Sequence, residues 1–456
     1  MRSTDAFTWH MERDPSLRST VVALVWLDRA PDWAVLRDRI DRMSRVVPGM
    51  RQIVVETAVP LSTPRLVVDQ HFDLDWHLRR VEVAPPGDRD AVLELARRAA
   101  MDAFDKDRPL WEFTVVEGMG DGGAAFLIKI HHSLSDGVGG MRLLTVMFDL
   151  QRDPSDPGEM PALPDGRPPG RGALATDAVR SMLSGTGGLV RRGVGQALPA
   201  LWSTVRDPIG AARGSVAMTR SVYRTAGPML ETRSPVMRER AMTRRLAMLE
   251  VPLDDLRSAA ATVGGTVNDA YLAALAGGLR EYHHRHGAPV ENLRVTMPIN
   301  LRAEGDDDWG NRITLQRLTI PVDEADPAER MRGIRAVTQA VRDDPALGAT
   351  DLIAGALNLL PPAYVGGVLK HIDFLASNVP GSPIPIYLAG GEVTGFFAFG
   401  PTIGSAMNAT LMSYRRRCDI GVNVDTAAVP DSDVLLSCLQ EGLDRVCALG
   451  DGTEPD

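Results

Sequence analysis

Two adjacent histidines close the apolar run AAFLIKI, and an Asp-Gly pair follows them in the stretch Ile128–Gly140, IKIHHSLSDGVGG. An imidazole ionises near pH ~6.5, so at neutral pH it can take a proton from a hydroxyl or a thiol in a cleft poor in water. Side chains alternate along a strand, which predicts Phe126, Ile128 and Ile130 on one face with His132, and Leu127 and Lys129 on the other with His131. His132, at the end of the uniformly apolar face, is the expected general base. His131 is the expected buried hydrogen-bonding support of the strand end. Gly137 and Gly139 permit a tight turn into the helix GMRLLTVMFDL, with Gly137 placed to border bound substrate and Asp136 at the turn. Asp136 is either a catalytic acid or orienter of His132, or half of a buried ion pair with an arginine from elsewhere. The ion pair is preferred, because a buried charge stripped of its partner typically costs ~3–5 kcal/mol.

Such a site needs a cleft between sizeable cores. The 456 residues exceed one ordinary core, and a prior of ~150 residues per domain suggests two large lobes with connecting structure. With 44% apolar and 24% charged residues the composition is that of a globular protein rather than a disordered one. A net charge of −9, with neither zinc-finger spacing nor an aromatic-basic RNA signature, argues against nucleic acid as a partner. Cys418, Cys438 and Cys447 are odd in number and form no C-x-x-C pair, which fits a reducing cytoplasm. The opening MRSTDAFTWHMERDPSLRST lacks an apolar core, so no signal peptide is expected. The most apolar stretch, Leu352–Leu369, is broken by Pro361 and Pro362 and is expected to pack in a core or at an interface rather than span a membrane.

Short β-rich runs (STVVALVWL, AAFLIKI) alternate with helical segments (DAVLELARRAAMDAF) through residues 1–150, the first expected lobe of an α/β fold. Residues 151–248 are expected to form a connector: a Pro/Gly-rich linker to about 172, then weakly helical segments in which arginines outnumber acids. Its basic part has two readings, attraction to an anionic membrane or lipid-body surface, and a solvated helical crossover. The crossover is preferred because the helical periodicity is poor. Residues 249–456 form the second expected lobe.

HHSLSDG fits the H-H-x-x-x-D-G signature of the CoA-dependent acyltransferases, the superfamily of chloramphenicol acetyltransferases and peptide-synthetase condensation domains. FDLDWHL, RPLWE, TVNDAYLAAL, MPINLR, WGN, SNVPGSPIPIYLAGG and SYRRRCDIGVNVD then follow one another in an order that resembles the bacterial wax ester synthase/diacylglycerol acyltransferases over nearly the whole chain. The resemblance implies two chloramphenicol-acetyltransferase-like lobes, each an α/β sandwich, with a tunnel between them. It implies an O-acyltransferase that joins the acyl group of acyl-CoA to diacylglycerol or a long-chain alcohol, making triacylglycerol or wax ester. His132 would deprotonate the acceptor hydroxyl for direct attack on the thioester. Acyl-CoA is then a co-substrate, with no bound cofactor. A tailoring acyltransferase for a specialised metabolite, and a catalytically silent acyl-chain or carrier-binding module, are the rival readings.

The resemblance also implies that Asn268 faces the reaction centre and supports the acceptor or the oxyanion. Against that, Thr266 can N-cap a helix beginning at Val267, with Asp269 at its positive end, so TVND could be capping alone. In NLRVTMPINLR the apolar Val295, Met297, Ile299 and Leu301 alternate with polar positions, which places Arg302 on the polar side as the candidate partner of Asp136. Trp111 of PLW is expected to anchor packing between lobes. SNVPG is expected to turn on the tunnel side, where Ser377 and Asn378 either donate hydrogen bonds to substrate or simply build a proline-glycine turn. His283, His284 and His286 look metal-like, but a solvated helix end is the preferred reading and no metal is expected. LRSTVV stands where the family usually carries a P-M-H-like stretch, which leaves acyl chain-length preference open.

Overall fold

The computed structural model describes residues 3–56, 64–134, 145–153, 157–164, 231–300, 313–342 and 369–450. Asp136, Gly137, Arg302, the basic crossover up to residue 230, and 352–368 of the apolar stretch lie outside these ranges.

The described strands form two mixed sheets of six and a small hairpin of β2 (Gln52–Val55) with β3 (Arg65–Val68). In the first, β1 (Thr20–Leu27), β4 (Leu78–Glu82), β5 (Trp111–Glu117) and β6 (Ala124–His131) are joined by β11 (Tyr387–Leu388) and β12 (Gly391–Phe399), in the order β11-β12-β1-β6-β5-β4. Both faces of its central strands are covered, which is why their sequences read as continuous apolar runs rather than as alternation with charge. Phe126, Ile128 and Ile130 lie in one core with Leu36, Ile40 and Met43 of helix Trp33–Val46, while Ala125 and Leu127 lie in another with Val92 and Ala96 of helix Arg89–Met101. An Asp starts each helix: the Asp32 side chain accepts from Val35 N–H, and that of Asp88 from Ala91 N–H.

The second sheet runs β7-β14-β13-β10-β8-β9: β7 (Arg244–Pro252), β8 (Asn292–Asn300), β9 (Ile313–Pro321), β10 (Phe374–Pro380), β13 (Met407–Tyr414) and β14 (Arg417–Asp425). Helix Val267–Arg285, buried from Asp269 to Ala276, joins the core of this sheet and packs closely along helix Ser432–Cys447, which itself meets β7.

Sheet membership does not follow a linear division at residue 249. Strand β12 is antiparallel to β1, with Val22 opposite Phe399 and Val25 opposite Phe396, so a strand from the last third of the chain completes the first sheet. Packing favours this, because β12 supplies Val393, Phe396 and Phe397 to the two cores of the first sheet. The lobes meet closely behind it. A Cβ at Gly421 on β14 would fall 2.1 Å from the Ala398 carbonyl oxygen, so only glycine admits the β12 backbone there. The buried Asp419 carboxylate, also on β14, accepts the Phe396 N–H at 2.6 Å.

Candidate active site

Strand β6 ends at His131, so the alternation that would put His132 on the apolar face stops one residue early, and His132 begins the following turn. The turn is pinned from both sides: His132 N–H donates to the Ser19 carbonyl at 2.9 Å, and Leu134 N–H to the His131 carbonyl at 2.9 Å.

His131 has no exposed surface. Ser133 N–H donates to its Nδ1 at 3.1 Å, with the Ser133 hydroxyl 2.7 Å away. A backbone N–H can only donate, so Nδ1 is the bare nitrogen and the ring hydrogen sits on Nε2. That nitrogen is 2.9 Å from Glu12 Oε1, off the ideal ring N–H axis. Trp9 and Phe104 present their edges to the ring, at centroid distances of 6.1 and 6.2 Å. Burial raises the Glu12 carboxyl, but His131, the Ser19 N–H and Lys106 outweigh it, and the acid stays below its ordinary value.

His132 is partly buried. Burial holds the His132 pKa below 6.5, the neighbouring His131 lowers it further, and its own carbonyl recovers part of the shift. The lowered pKa keeps the imidazole neutral near pH 7. Thr20, the register partner of His131, lines a void of about 20 Å³ together with Arg18 of the first lobe and Arg244 and Asn423 of the second, so the end of β6 nears the meeting of the two lobes on the His131 side.

Helix Val267–Arg285 starts where the sequence predicts. Thr266 caps it, and the Asp269 carboxylate in turn accepts the Thr266 N–H in a capping box. Asn268, partly buried, directs its amide at Met297 Sδ, 4.0 Å away. Ser377 and Asn378 are not in a turn. They belong to β10, paired in parallel with Thr410 and Leu411 of β13. Pro380 is tolerated because the register of β10 with β8 covers Phe374 and Leu375, and the strands then part, leaving that edge without a donor requirement. By alternation Asn378 shares the face of Phe374 and Ala376, the face on which Asn268 meets Met297, while Ser377 points to the other. Asn268 therefore approaches the face of the second sheet on which Asn378 lies by alternation.

Trp111 is buried within the first lobe rather than between lobes; it donates Nε1–H to the Met50 carbonyl at 2.8 Å and stacks on His77 at 4.5 Å. The solvated reading of the other histidines fails at His283, which is fully buried between Ser234 Oγ (2.8 Å) and the Leu279 carbonyl (2.7 Å). His284 is exposed, and His286 Nε2 lies 3.0 Å from Asp431. Among the described residues no group of three His, Cys, Asp or Glu side chains is arranged to hold a metal ion. A larger cavity of about 490 Å³, lined by Glu250, Thr394, Tyr414 and Arg415 to Arg417, contains none of the predicted site residues. Its arginines are engaged with Glu392, Asp254, Glu250 and Asp419.

Glu12, Ser19 and Ser133 are the polar partners that motif reading missed. Ser133 lies inside the motif, but Glu12 and Ser19 come from a segment with no pattern to single them out.

Two family models match the chain: the wax ester synthase/diacylglycerol acyltransferase catalytic domain over residues 1–271 and the C-terminal domain of the same family over 309–446. A Mycobacterium tuberculosis protein whose name assigns it diacylglycerol O-acyltransferase activity is 39% identical across 97% of this chain and 91% of its own. The solved wax ester synthase/diacylglycerol acyltransferase of Marinobacter aquaeolei VT8 superposes with a TM-score of 0.62 at 22% identity, covering 98% of each chain. The first condensation domain of the calcium-dependent antibiotic synthetase superposes with a TM-score of 0.61 at 13% identity, covering 99% of this chain and 96% of the other.

Proposed function

The chain belongs to the wax ester synthase/diacylglycerol acyltransferase family and is an acyl-CoA-dependent O-acyltransferase, and from that premise we propose that His132 is its general base and that its acceptor is diacylglycerol or a long-chain alcohol. The observation that carries the reading is the contrast between the two rings: His131 is sealed and engaged by Glu12 and Ser133, while His132 is only partly buried and is held below the ordinary imidazole pKa, which keeps it neutral and able to accept a proton.

In the proposed reaction, the acceptor hydroxyl gives its proton to the His132 imidazole as its oxygen bonds to the thioester carbonyl carbon. The tetrahedral adduct then collapses, the C–S bond breaks, and the CoA sulfur recovers the proton from the imidazolium. Ester and free CoA leave, and no acyl-enzyme forms. Holding both reactants beside the imidazole supplies much of the rate, and donors near the carbonyl oxygen add to it. Asn268 is assigned to the acceptor or the oxyanion, and Ser377 and Asn378 to substrate along a tunnel between the lobes. Gly137 borders the substrate, and Asp136 with Arg302 locks the loop after His132 by an ion pair.

No helix among the described residues is long and apolar enough to cross a membrane. Access to a lipid surface falls to the basic crossover, with the solvated connector as its alternative.

The test is CoA release from palmitoyl-CoA by the purified protein, offered diacylglycerol, a series of long-chain alcohols and a set of polar hydroxyl and amine acceptors. Turnover on the first two with loss in His132→Ala is expected. Turnover on polar acceptors alone points to a tailoring transferase, and acyl binding without CoA release to a silent binding module. Normal turnover by folded His132→Ala removes His132 from the mechanism.

A further inference from the structure

The segment between helix Ser3–Met11 and strand β1 delivers one carboxylate into the floor of the histidine pair. Glu12 has a side chain only 6% exposed, and one of its oxygens faces two nitrogens: Oε1 accepts the Ser19 N–H at 3.2 Å and lies 2.9 Å from His131 Nε2, off that ring's N–H axis. Each contact leads directly to His132. His131 precedes it in the chain, and the Ser19 carbonyl accepts the His132 N–H at 2.9 Å. The two stretches of backbone that flank the His132 turn, the end of β6 and the approach to β1, therefore converge on a single oxygen. The bridge is shielded by Trp9 and Phe104 around the His131 ring, where water cannot easily replace a lost acceptor.

We infer that Glu12 is a positioning residue for acyl transfer, its Oε1 joining His131 to Ser19 so that the main chain of His132 is set from both sides. The inference rests on His132 being the base. It assigns the work to the place of an acceptor oxygen rather than to the negative charge, which separates two mild substitutions. Glu12→Gln keeps an oxygen at the same reach and discards the charge. Glu12→Asp keeps the charge and draws the oxygen back by one methylene.

A base displaced by part of an ångström loses rate without losing substrate affinity, so Glu12→Asp is expected to lower kcat ~10–100-fold with KM for acyl-CoA within about twofold. Glu12→Gln is expected to stay within about threefold of wild type in kcat. Asp14→Asn serves as the control: Asp14 lies in the same segment but binds Ser16 and Lys370, so its loss should lower the melting temperature with kcat unchanged. Hydrogen exchange at the His132 amide supplies a readout independent of chemistry, expected to quicken in Glu12→Asp and not in Asp14→Asn. Wild-type kcat in Glu12→Asp, equal losses in Glu12→Asp and Glu12→Gln, or a kcat loss matched by Asp14→Asn overturns the inference. If His132→Ala keeps its turnover, the base assignment fails by itself. The Glu12 bridge is then judged by exchange, and wild-type protection of the His132 amide in Glu12→Asp overturns it.

Discussion

His131 in the first lobe and His283 in the second are both sealed from solvent, and both use their two ring nitrogens to tie one piece of chain to another. His283 donates Nδ1–H to the Leu279 carbonyl, one turn back in its own helix, and accepts from Ser234, which fastens the incoming segment to the second lobe. The buried Asp373 carboxylate completes that knot by accepting the N–H groups of Arg233, Ser234 and Arg294. His131 does the equivalent for the first lobe with Glu12 and Ser133. The difference lies in the neighbour. After His283 come an exposed His284 and, two residues on, a His286 paired with Asp431, whereas after His131 comes a half-hidden imidazole whose pKa is held below the ordinary value. A buried histidine marks a tie in the fold. Chemistry requires a second ring that the tie holds but does not use.

The sharpest way to break this comparison is His132→Ala. General-base catalysis is worth ~10²–10⁴ in rate, so kcat should fall by that factor while circular dichroism and the melting temperature stay near wild type. The Glu12 substitutions come next in size and ask whether the tie works through position. His283→Leu should do the reverse of His132→Ala. It strands the Ser234 hydroxyl and the Leu279 carbonyl at a cost of ~1–3 kcal/mol in denaturant unfolding, with kcat retained. A large loss of kcat at full stability would erase the distinction between the two knots.

The smallest effects are those of pH, and the two histidines separate there as well. Burial, joined by His131, keeps the His132 pKa below 6.5, so kcat/KM should hold its plateau down through pH 6.5 and fall only as pH drops through the lowered value. His283 is likewise lowered from 6.5, chiefly by burial, while the unfolded chain takes up its proton near the ordinary value. Its stability contribution is therefore full above pH 6.5 and is lost as pH falls from there through the folded value. Thermal melts of wild type and His283→Leu should converge over that window. Parallel curves would show that His283 is not protonated on unfolding.

Local physics was legible in the sequence, and long-range closure was not. Thr266 announces its helix because the cap and its partner Asp269 lie three residues apart. The two faces of β6 follow from alternation alone. The motif order carries the family and with it the two-lobed fold. By contrast, Glu12 meets His131 only after the chain has folded, and a glutamate beside Met11 carries no local signal of burial. SNVPG reads as a turn because proline and glycine usually make one; here β10 has already parted from β8, so the missing N–H of Pro380 breaks no ladder. His283 was misread because its cover, residues 231–237, comes from another part of the chain.

The borrowed strand β12 bears on how the protein is made. While the ribosome is still producing residues 249–390, β1 of the first lobe, TVVALVWL, has its β6 side paired and its other side open, a long apolar edge of the kind that recruits foreign strands. Nascent chains must keep that edge covered until Gly391–Phe399 emerges. A gene cut at the crossover would yield an aggregating front half rather than a free-standing lobe, and only co-production with the back half could supply the missing strand.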